Sequence, residues 1–420
     1  MNQTQDPLAR LRADAQGGDP TALFQLASAL VQQGQVDEAQ TLHRRAAEAG
    51  HVPAQIEYAR MRMYGIAGDA DPAEAVRWLQ RAEAAHPAAA YLLALIGLGG
   101  VALPRDAAIN ARTAAALNAG FIPALLAAAI HFGRKPDPAD QTLALRMLQD
   151  ATVRGDSTAA LLLAERLRHG EGCEPDPASV ARIDEGLARA GIAPLPTLHV
   201  DPPVEPAAAP RTLALDVLDP PPVRELATHP RVGVIDGLLS ADECRLLIAR
   251  ARPLLRHSRT LDPDTGEAVT VPLRTSRDIS FDPILEDLAL RAVQARIAAA
   301  AGCELVEAEQ LIVLHYAPGQ EYRPHRDYRP PGSLERDRPQ AGNRARTICV
   351  YLNAVEAGGG TAFPVAGLEV EPKPGRAVVF DNLHADGTPD PDSLHAGLPV
   401  ESGEKWLATL WIRERRYRDF

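Results

Sequence analysis

Two histidines, an aspartate and a lysine in the second half of this sequence have the residue types and the spacing that metal chemistry requires. His325 and Asp327 stand two positions apart in YRPHRDY, His395 follows Asp327 by 68 residues, and Lys405 follows His395 by ten. Two imidazoles and one carboxylate can bind one face of a metal ion and leave three adjacent positions open, a set that suits non-haem Fe(II). The pattern therefore predicts an iron site with His325, Asp327 and His395 as ligands.

Lys405 is unusual because the chain otherwise prefers arginine. Of its 44 basic residues only three are lysine, namely Lys135, Lys373 and Lys405. A lysine ammonium at this distance from the metal ligands can pair with the distal carboxylate of a 2-oxo acid whose other end chelates the iron. HxD alone arises often by chance, whereas HxD followed by a distant histidine and then a lysine is far more specific.

The elements that must position these residues are short, β-rich runs separated by glycine and proline turns. The runs begin at Val232 and include LIVLHYAPG (311–319), TICVYLNAV (347–355), LEVEPKPGRAVVFDN (368–382) and WLATLWI (406–412). Such a pattern predicts an antiparallel sandwich or barrel with helices packed outside. Residues two apart on a strand share a face, so His325 and Asp327 are expected to leave one strand together. His384, in the loop NLHADG, is expected to be solvated or to support the metal ligands.

The first half of the sequence repeats itself. Alanine-rich segments recur at a spacing of 32 to 35 residues, beginning at Thr21, Pro53, Ala88, Pro123 and Thr158. A second helical pattern follows each one, often after Asp-Pro, which is a good helix start because Asp caps the helix and Pro fits its first turn. We predict an all-α solenoid of about five helix pairs.

These repeats resemble Sel1-like repeats, a branch of the tetratricopeptide class, over residues 18–193. The resemblance implies a protein-binding scaffold, and the alternative is a stabilising or spacing domain with no partner of its own. Residues 192–226 follow, rich in proline and without helical periodicity, and they predict an extended linker. The predicted organisation is a solenoid over 1–193, a Pro-rich linker over 194–228 and a further domain over 229–420.

The segment from about residue 230 to the C-terminus resembles the prolyl 4-hydroxylase branch of the 2-oxoglutarate and Fe(II)-dependent dioxygenases. The similarity lies in LHYAPGQEYRPHRDY, NRARTICVYLNAVEAGGGTAFP, VEPKPGRAVVFDNLHADGTPDPDSLHAG and GEKWLATLWI. It implies a double-stranded β-helix, or jelly roll, with flanking helices. It also implies that His325, Asp327 and His395 bind iron and that Lys405 binds the C5 carboxylate of 2-oxoglutarate.

Four further residues match family positions around the reacting centre. The resemblance implies that Tyr316 and Thr361 help to hold the co-substrate, and that Arg344 and Trp411 line the substrate groove. A surface ion pair is the alternative for Arg344, and core packing is the alternative for Trp411.

The activity implied by the resemblance is hydroxylation of an unactivated C–H bond, with Fe(II), 2-oxoglutarate and O2 as reactants and ascorbate as reductant. A prolyl residue in a protein or peptide is the expected target, recruited by the repeats. Lys405 supports this branch, because related oxygenases of lysine or of alkylated nucleic acids use an arginine there. Asp327 favours hydroxylation, because halogenating relatives lack this ligand. The alternatives are a hydroxylase of a free amino acid or small metabolite, and a catalytically idle scaffold that senses oxygen.

Composition narrows the possible partners and compartments. The formal charge of −11 offers no basic footprint for nucleic acid. No secretory signal and no run of about 18 apolar residues is found, so we expect no membrane partner and a cytoplasmic location. The four cysteines are scattered without a CxxC pair, which predicts reduced packing residues. The oligomeric state is not predicted.

Overall fold

The computed structural model describes residues 7–198, 212–258, 260–261, 268–269, 274–330 and 332–419. The described residues form two compact units, one up to Ala124 together with Asp419, and one within Leu125–Arg418. The predicted linker at 194–228 lies partly outside the described residues, because 199–211 are not among them. The boundaries predicted at 193 and 229 stay predictions.

Helices arranged in pairs make up the described chain as far as residue 189. They are α1 (Pro7–Ala15), α2 (Pro20–Gln32), α3 (Val36–Glu48), α4 (Val52–Tyr64), α5 (Pro72–Ala82), α6 (Pro87–Gly99), α7 (Ala108–Asn118), α8 (Ile122–Gly133), α9 (Pro138–Val153), α10 (Ser157–His169) and α11 (Pro177–Arg189). Asp71, Asp137 and Asp176, each followed by proline, accept backbone hydrogen bonds at the starts of α5, α9 and α11, as predicted.

Small side chains allow the helices of each pair to approach closely. In the first unit Ala27, Ala39, Ala46 and Ala59 are fully buried in one apolar core. The predicted solenoid of helix pairs is therefore confirmed. No helix among the described residues combines the length and the apolar character needed to cross a membrane.

Strands dominate the described chain after residue 212. They are β1 (Arg224–Thr228), β2 (Arg231–Ile235), β3 (Arg256–His257), β4 (Thr260–Leu261), β5 (Ala268–Val269), β6 (Arg277–Ser280), β7 (Ile312–Tyr316), β8 (Tyr322–His325), β9 (Arg344–Tyr351), β10 (Ala357–Gly358), β11 (Thr361–Phe363), β12 (Leu368–Val370), β13 (Ala377–Asp381), β14 (His395–Gly397), β15 (Val400–Ser402) and β16 (Lys405–Arg413). Two helices, α12 (Ala241–Ala251) and α13 (Leu288–Ala300), flank them.

Two antiparallel sheets face each other across a shared core. The larger sheet has the strand order β1-β2-β13-β9-β16-β7-β6-β3 and the smaller one the order β12-β11-β14-β8. Tyr351 and Phe380 of the larger sheet pack with Phe363 and Val370 of the smaller sheet. This arrangement confirms the predicted jelly roll with flanking helices.

Within the second unit, α10 and the loop that follows it contact α12 through two ion pairs, of which the one between Arg166 and Asp242 is buried on both sides. Arg166 donates from Nε and Nη2 to Asp242 Oδ2 at 2.7 and 2.5 Å, and Arg245 donates to both carboxylate oxygens of Glu171 at 2.6 and 2.8 Å. The side chains of Arg166, Asp242 and Arg245 are at most 2% exposed. A side chain on Gly133, at the end of α8, would collide with Arg166 and Asp242. The last helix pairs are therefore joined to the β-rich part by specific, desolvated charges.

Candidate metal centre

Strands β8 and β14 bring the two predicted histidine ligands next to each other. His325 ends β8 and is the cross-strand partner of His395, which begins β14. Asp327 lies two residues beyond the end of β8 rather than on the strand as predicted. Asp327 Oδ1 is 3.5 Å from His325 Nε2, and Asp327 Oδ2 is 3.6 Å from His395 Nε2. One ligand atom from each residue lies within 4.8 Å of the others, so the structure brings the predicted set together.

Backbone carbonyl groups orient both imidazoles. His325 Nδ1 lies 2.8 Å from the carbonyl oxygen of Arg323, and His395 Nδ1 lies 3.0 Å from that of Ser393. A carbonyl oxygen only accepts, so each Nδ1 carries a proton, and each Nε2 is the nitrogen that faces Asp327 and can bind a metal. Burial lowers the pKa of His395 to about 4, which keeps its ring neutral. Two imidazoles and one carboxylate form a donor set that fits a divalent metal ion.

A buried hydrogen-bond relay holds the carboxylate of Asp327. Thr347 Oγ1 donates to Asp327 Oδ2 at 2.8 Å, and Asn382 Nδ2 donates to Thr347 Oγ1 at 2.9 Å. Thr347 and Asn382 are fully buried. Burial alone would raise the pKa of Asp327, but the positive charge that His395 and His325 carry when protonated, together with the guanidinium of Arg344, holds it well below its usual range. The carboxylate is therefore ionised and aimed at the histidines. The sequence analysis did not predict this hydrogen-bond relay of Thr347 and Asn382.

Lys405 lies in the cavity that contains the three predicted ligands. It begins β16, is 1% exposed, and its Nζ is 5.3 and 5.4 Å from the ring centres of Tyr316 and Tyr351. It forms no salt bridge with any carboxylate of the described residues. Burial lowers its pKa to about 8. An ammonium group that is buried without an anionic partner fits the distal carboxylate of a dicarboxylic co-substrate.

Comparisons with known proteins match both halves of the chain. Residues 311–413 match the family model of the 2OG-Fe(II) oxygenase superfamily, and residues 20–51, 52–85, 87–111 and 157–179 match the Sel1 repeat. The probable prolyl 4-hydroxylase 6 of Arabidopsis thaliana is 36% identical over 220 residues, which cover 48% of this chain and 75% of that protein. The chain belongs to the prolyl 4-hydroxylase-like 2-oxoglutarate and Fe(II)-dependent oxygenases.

Further proteins are similar to parts of the chain. The probable prolyl 4-hydroxylase 7 of Arabidopsis thaliana is 36% identical over 218 residues, covering 47% of this chain and 67% of that protein. Among solved structures, the viral collagen prolyl hydroxylase of Paramecium bursaria Chlorella virus 1 shares 30% identity over 43% of this chain and 95% of its own, with a TM-score of 0.34. A Sel1 repeat protein of Oxalobacter formigenes shares 21% identity over 41% of this chain and 74% of its own, with a TM-score of 0.37.

As a member of this family the oxygenase uses Fe(II), 2-oxoglutarate and O2. When bound, iron and the co-substrate supply the oxidising power that inserts an oxygen atom into a C–H bond. The chain supplies the frame for that chemistry. His325, Asp327 and His395 are the side chains that could hold the metal, and Lys405 is the cation that could hold the far end of the co-substrate.

Tyr316 and Thr361, the two other predicted co-substrate residues of this oxygenase, line the same cavity. Thr361 Oγ1 lies 2.6 Å from the hydroxyl oxygen of Tyr351, which donates to the carbonyl oxygen of Val370 at 2.9 Å. The hydroxyl proton of Tyr351 is donated to Val370, so Thr361 is the donor in its hydrogen bond with Tyr351. The lone pairs of Thr361 Oγ1 can therefore accept from a ligand. Sequence reasoning did not single out Tyr351.

Arg344 and Trp411, the predicted substrate residues, lie together beside Asp327. Arg344 donates from Nε and Nη2 to Glu309 at 2.8 Å each, and its guanidinium carbon lies 3.5 Å from the Trp411 ring centre. The ion pair of Arg344 is therefore buried rather than on the surface, because Glu309 is 5% exposed. Both predicted residues also line the groove that reaches Asp327. Glu309 was not predicted, since it lies 35 residues before Arg344 in an unremarkable stretch.

Tyr322 was also missed, although it stands in the quoted motif. Its ring stacks on His325 with the ring centres 3.4 Å apart and the planes at 15°. The guanidinium carbon of Arg274 lies 5.3 Å from the Tyr322 ring centre. The aromatic ring thus fixes the plane of one metal-ligating imidazole from the groove side.

Proposed function

We propose that this oxygenase hydroxylates a prolyl residue within a protein or peptide. The observation that supports this most is a groove of about 1170 Å³ that runs up to Asp327 and is lined by Arg326, Tyr328, Arg344 and Trp411. Pockets for single small molecules typically measure about 300–1,000 Å³ and enclose most of their ligand. An open groove larger than this favours an extended chain over a free amino acid.

We assign the residues as follows. His325, Asp327 and His395 hold Fe(II), while Thr347 and the two backbone carbonyls keep those ligands aimed at it. Lys405 pairs with the C5 carboxylate of 2-oxoglutarate, with Tyr316 and Thr361 beside it. The apolar walls of this cavity, including Leu314, Cys349 and Leu407, exclude water from the reacting atoms. Ascorbate is proposed as the reductant that restores Fe(II).

The target proline is expected to lie against the platform formed by Arg344 and Trp411. The guanidinium lies over the indole, and Glu309 locks it in place with two hydrogen bonds. A flat, rigid surface beside Asp327 suits the flat face of a pyrrolidine ring or a peptide plane. The platform would therefore position the C–H bond relative to the metal.

The repeats are proposed to recruit the substrate polypeptide. Sel1 repeats match four segments between residues 20 and 179, and stacked helix pairs of this kind present extended surfaces to other chains. We further propose that the solenoid spans 1–193 and the catalytic domain 229–420, with 194–228 as linker. The cytoplasmic location expected from the sequence stays a prediction.

The test is turnover by the full chain. Succinate formation is measured with Fe(II), 2-oxoglutarate and ascorbate, in the presence of proline-containing peptides or free amino acids, while mass spectrometry detects oxygen insertion. We expect peptide-stimulated turnover and oxygen on proline, both lost in His395→Ala and Asp327→Ala. Stimulation by a free amino acid alone would favour a metabolite hydroxylase. A wild-type chain that binds iron but turns nothing over would favour the idle scaffold.

A further inference from the structure

A second group of metal-ligating side chains lies outside the cavity described above. His229 stands in the turn between β1 and β2, whereas His384 and Asp390 stand in the loop between β13 and β14. One ligand atom from each of the three lies within 4.8 Å of the others. The ligand atoms of His325, Asp327 and His395 meet the same limit of 4.8 Å. We call His229, His384 and Asp390 the rim cluster.

The distances within the rim cluster suit an intervening ion better than direct hydrogen bonds. Asp390 Oδ2 is 4.0 Å from His229 Nδ1, and Asp390 Oδ1 is 3.8 Å from His384 Nε2. Both exceed the 2.7–3.2 Å range of a hydrogen bond. Two ligand atoms about 2.0–2.1 Å from a tetrahedral zinc ion lie roughly 3.3 Å apart. The exposed imidazoles would have to move roughly 0.5–0.7 Å closer to the carboxylate to reach this spacing.

The burial of the three side chains is uneven in a way that suits metal binding. The side chain of Asp390 is 5% exposed, while those of His229 and His384 are 57% and 40% exposed. Asp390 Oδ1 accepts the backbone N–H of Asp392 at 2.9 Å, which fixes the carboxylate from the protein side. The imidazole rings stack at 15° with their centres 5.9 Å apart. A fixed carboxylate thus faces two adjustable imidazoles, and a coordination position remains open to water.

A fourth side chain orients one of the imidazoles. His229 Nε2 lies 3.1 Å from Asp392 Oδ2, so the ring donates its Nε2 proton to that carboxylate. In the neutral ring this leaves Nδ1 as the nitrogen with a free lone pair, and Nδ1 is the nitrogen on the side of Asp390. Metal-ligating histidines almost always give their other ring N–H to such a partner. The ring of His229 is therefore already in the tautomer that a metal needs.

We propose that the rim cluster binds a divalent transition-metal ion, and zinc is the ion that its two imidazoles and one carboxylate fit best. His229 Nδ1, His384 Nε2 and one oxygen of Asp390 are the protein ligands, with water in the fourth position. The binding itself does not depend on the proposed function of the iron site.

An ion at the rim cluster would also act on the catalytic ligands through the backbone. Asp390 is three residues before Ser393, whose carbonyl oxygen accepts from His395 Nδ1, and Arg326 Nε donates to the carbonyl oxygen of Pro391 at 2.7 Å. Pinning this loop to the turn at His229 would restrict the segment that aims His395. This consequence rests on the proposed role of His395 as an iron ligand.

Zinc stoichiometry tests the proposal in the full chain, freed of any affinity tag and stripped of metal. Zn2+ is titrated against a chromophoric chelator. We expect two ions per wild-type chain, one in His325→Ala/His395→Ala, one in His229→Ala/His384→Ala, and none when all four are replaced. His86→Ala/His169→Ala, which removes two histidines elsewhere, is the matched control and should still bind two. His229 and His384 are exposed, so their replacement should leave the fold intact by circular dichroism.

Cobalt gives a second readout that needs no catalysis. Co2+ added to His325→Ala/His395→Ala should produce the visible absorption of a nitrogen- and oxygen-ligated ion, and Asp390→Asn in that background should abolish it. Two results would overturn the proposal. One is a folded His325→Ala/His395→Ala chain that binds no zinc. The other is a bound ion that survives His229→Ala/His384→Ala in the same background.

Discussion

Lys405 lies directly opposite Tyr316 across strands β16 and β7, with its ammonium nitrogen 5.3 Å from the centre of that ring. The pair places a cation against an aromatic wall at the end of the cavity, where no described carboxylate neutralises it. A charge held in this way costs stability until an anion arrives, as expected of the co-substrate-binding role proposed for Lys405.

Replacing Lys405 by methionine should separate activity from stability. Lys405→Met keeps the length of the side chain but removes the charge, so 2-oxoglutarate binding should weaken by about tenfold to a hundredfold. The unfolding temperature of the ligand-free chain should equal or exceed that of wild type, because the unpaired charge is gone. Calorimetric titration and a thermal melt measure the two effects. Equal affinity in wild type and variant would remove Lys405 from the co-substrate site.

The affinity for 2-oxoglutarate should fall as the pH rises through about 8. Burial lowers the pKa of Lys405 to about 8, so the ligand-free chain loses this proton above that pH, and only the charged form pairs with a carboxylate. The dissociation constant should be flat below pH 7 and increase about tenfold per pH unit above 8. Lys405→Arg should flatten the profile, since its guanidinium stays charged. A wild-type profile without this upturn would contradict the assignment.

Thr347→Val should weaken iron binding without unfolding the chain. It removes the donor to Asp327 and leaves Asn382 Nδ2 without its acceptor. Loss of such an outer hydrogen bond typically costs 10- to 100-fold in metal affinity, that is, roughly 1–3 kcal/mol. Metal competition titration gives the affinity, and Thr113→Val, another fully buried threonine, controls for packing. A Thr347→Val chain with wild-type iron affinity would show that the relay is only structural.

Breaking the ion pair between α10 and α12 should destabilise the second unit. Asp242→Leu leaves the buried guanidinium of Arg166 without its partner, which should cost about 3–5 kcal/mol. The double variant Arg166→Met/Asp242→Leu should recover much of this loss. Asp150→Ala removes an exposed partner of Arg154 on α9 and should cost less than about 1 kcal/mol. Thermal melts of wild type and the three variants measure these effects, and a double variant no more stable than Asp242→Leu would argue against direct coupling.

Peptides with acidic residues near the proline should be preferred. Arg256 and Arg326 line the groove, are exposed, and form no ion pair with a described carboxylate, whereas Arg344 and Arg274 are already paired. Arg256→Glu/Arg326→Glu should lower kcat/KM for an acidic peptide by ~5- to 30-fold, and less at high salt. The same peptide with neutral flanks, and Arg154→Glu/Arg189→Glu, serve as controls. Equal loss for acidic and neutral peptides would contradict charge recognition.

The sequence was most informative where one residue type repeats at a fixed spacing. The alanines and the Asp-Pro starts predicted the helix pairs, because both effects act within a few residues. His325, Asp327, His395 and Lys405 were recognisable because their chemistry is rare in that order. The structure placed them in one cavity, but it moved Asp327 off the strand, since the chain leaves β8 directly after His325.

The supporting residues were not predictable in this way. Thr347 and Asn382 meet Asp327 across three separate segments, and Glu309 reaches Arg344 from before β7. Nothing local marks a threonine or a glutamate for such a role. The sequence likewise did not predict the neighbours of His384. His229 and Asp390 lie close to it only in the folded chain, where the turn and the loop meet.

The two ends of the proposed co-substrate site belong to different sheets. His325 and His395 stand on the smaller sheet, and Lys405 and Tyr316 stand on the larger one. Facing sheets pack about 10 Å apart, and their registers are held by backbone hydrogen bonds. A molecule that joins the metal to Lys405 must therefore cross the interior of the sandwich. The spacing of the two sheets, rather than any one side chain, would then set the length of the diacid that reaches both groups.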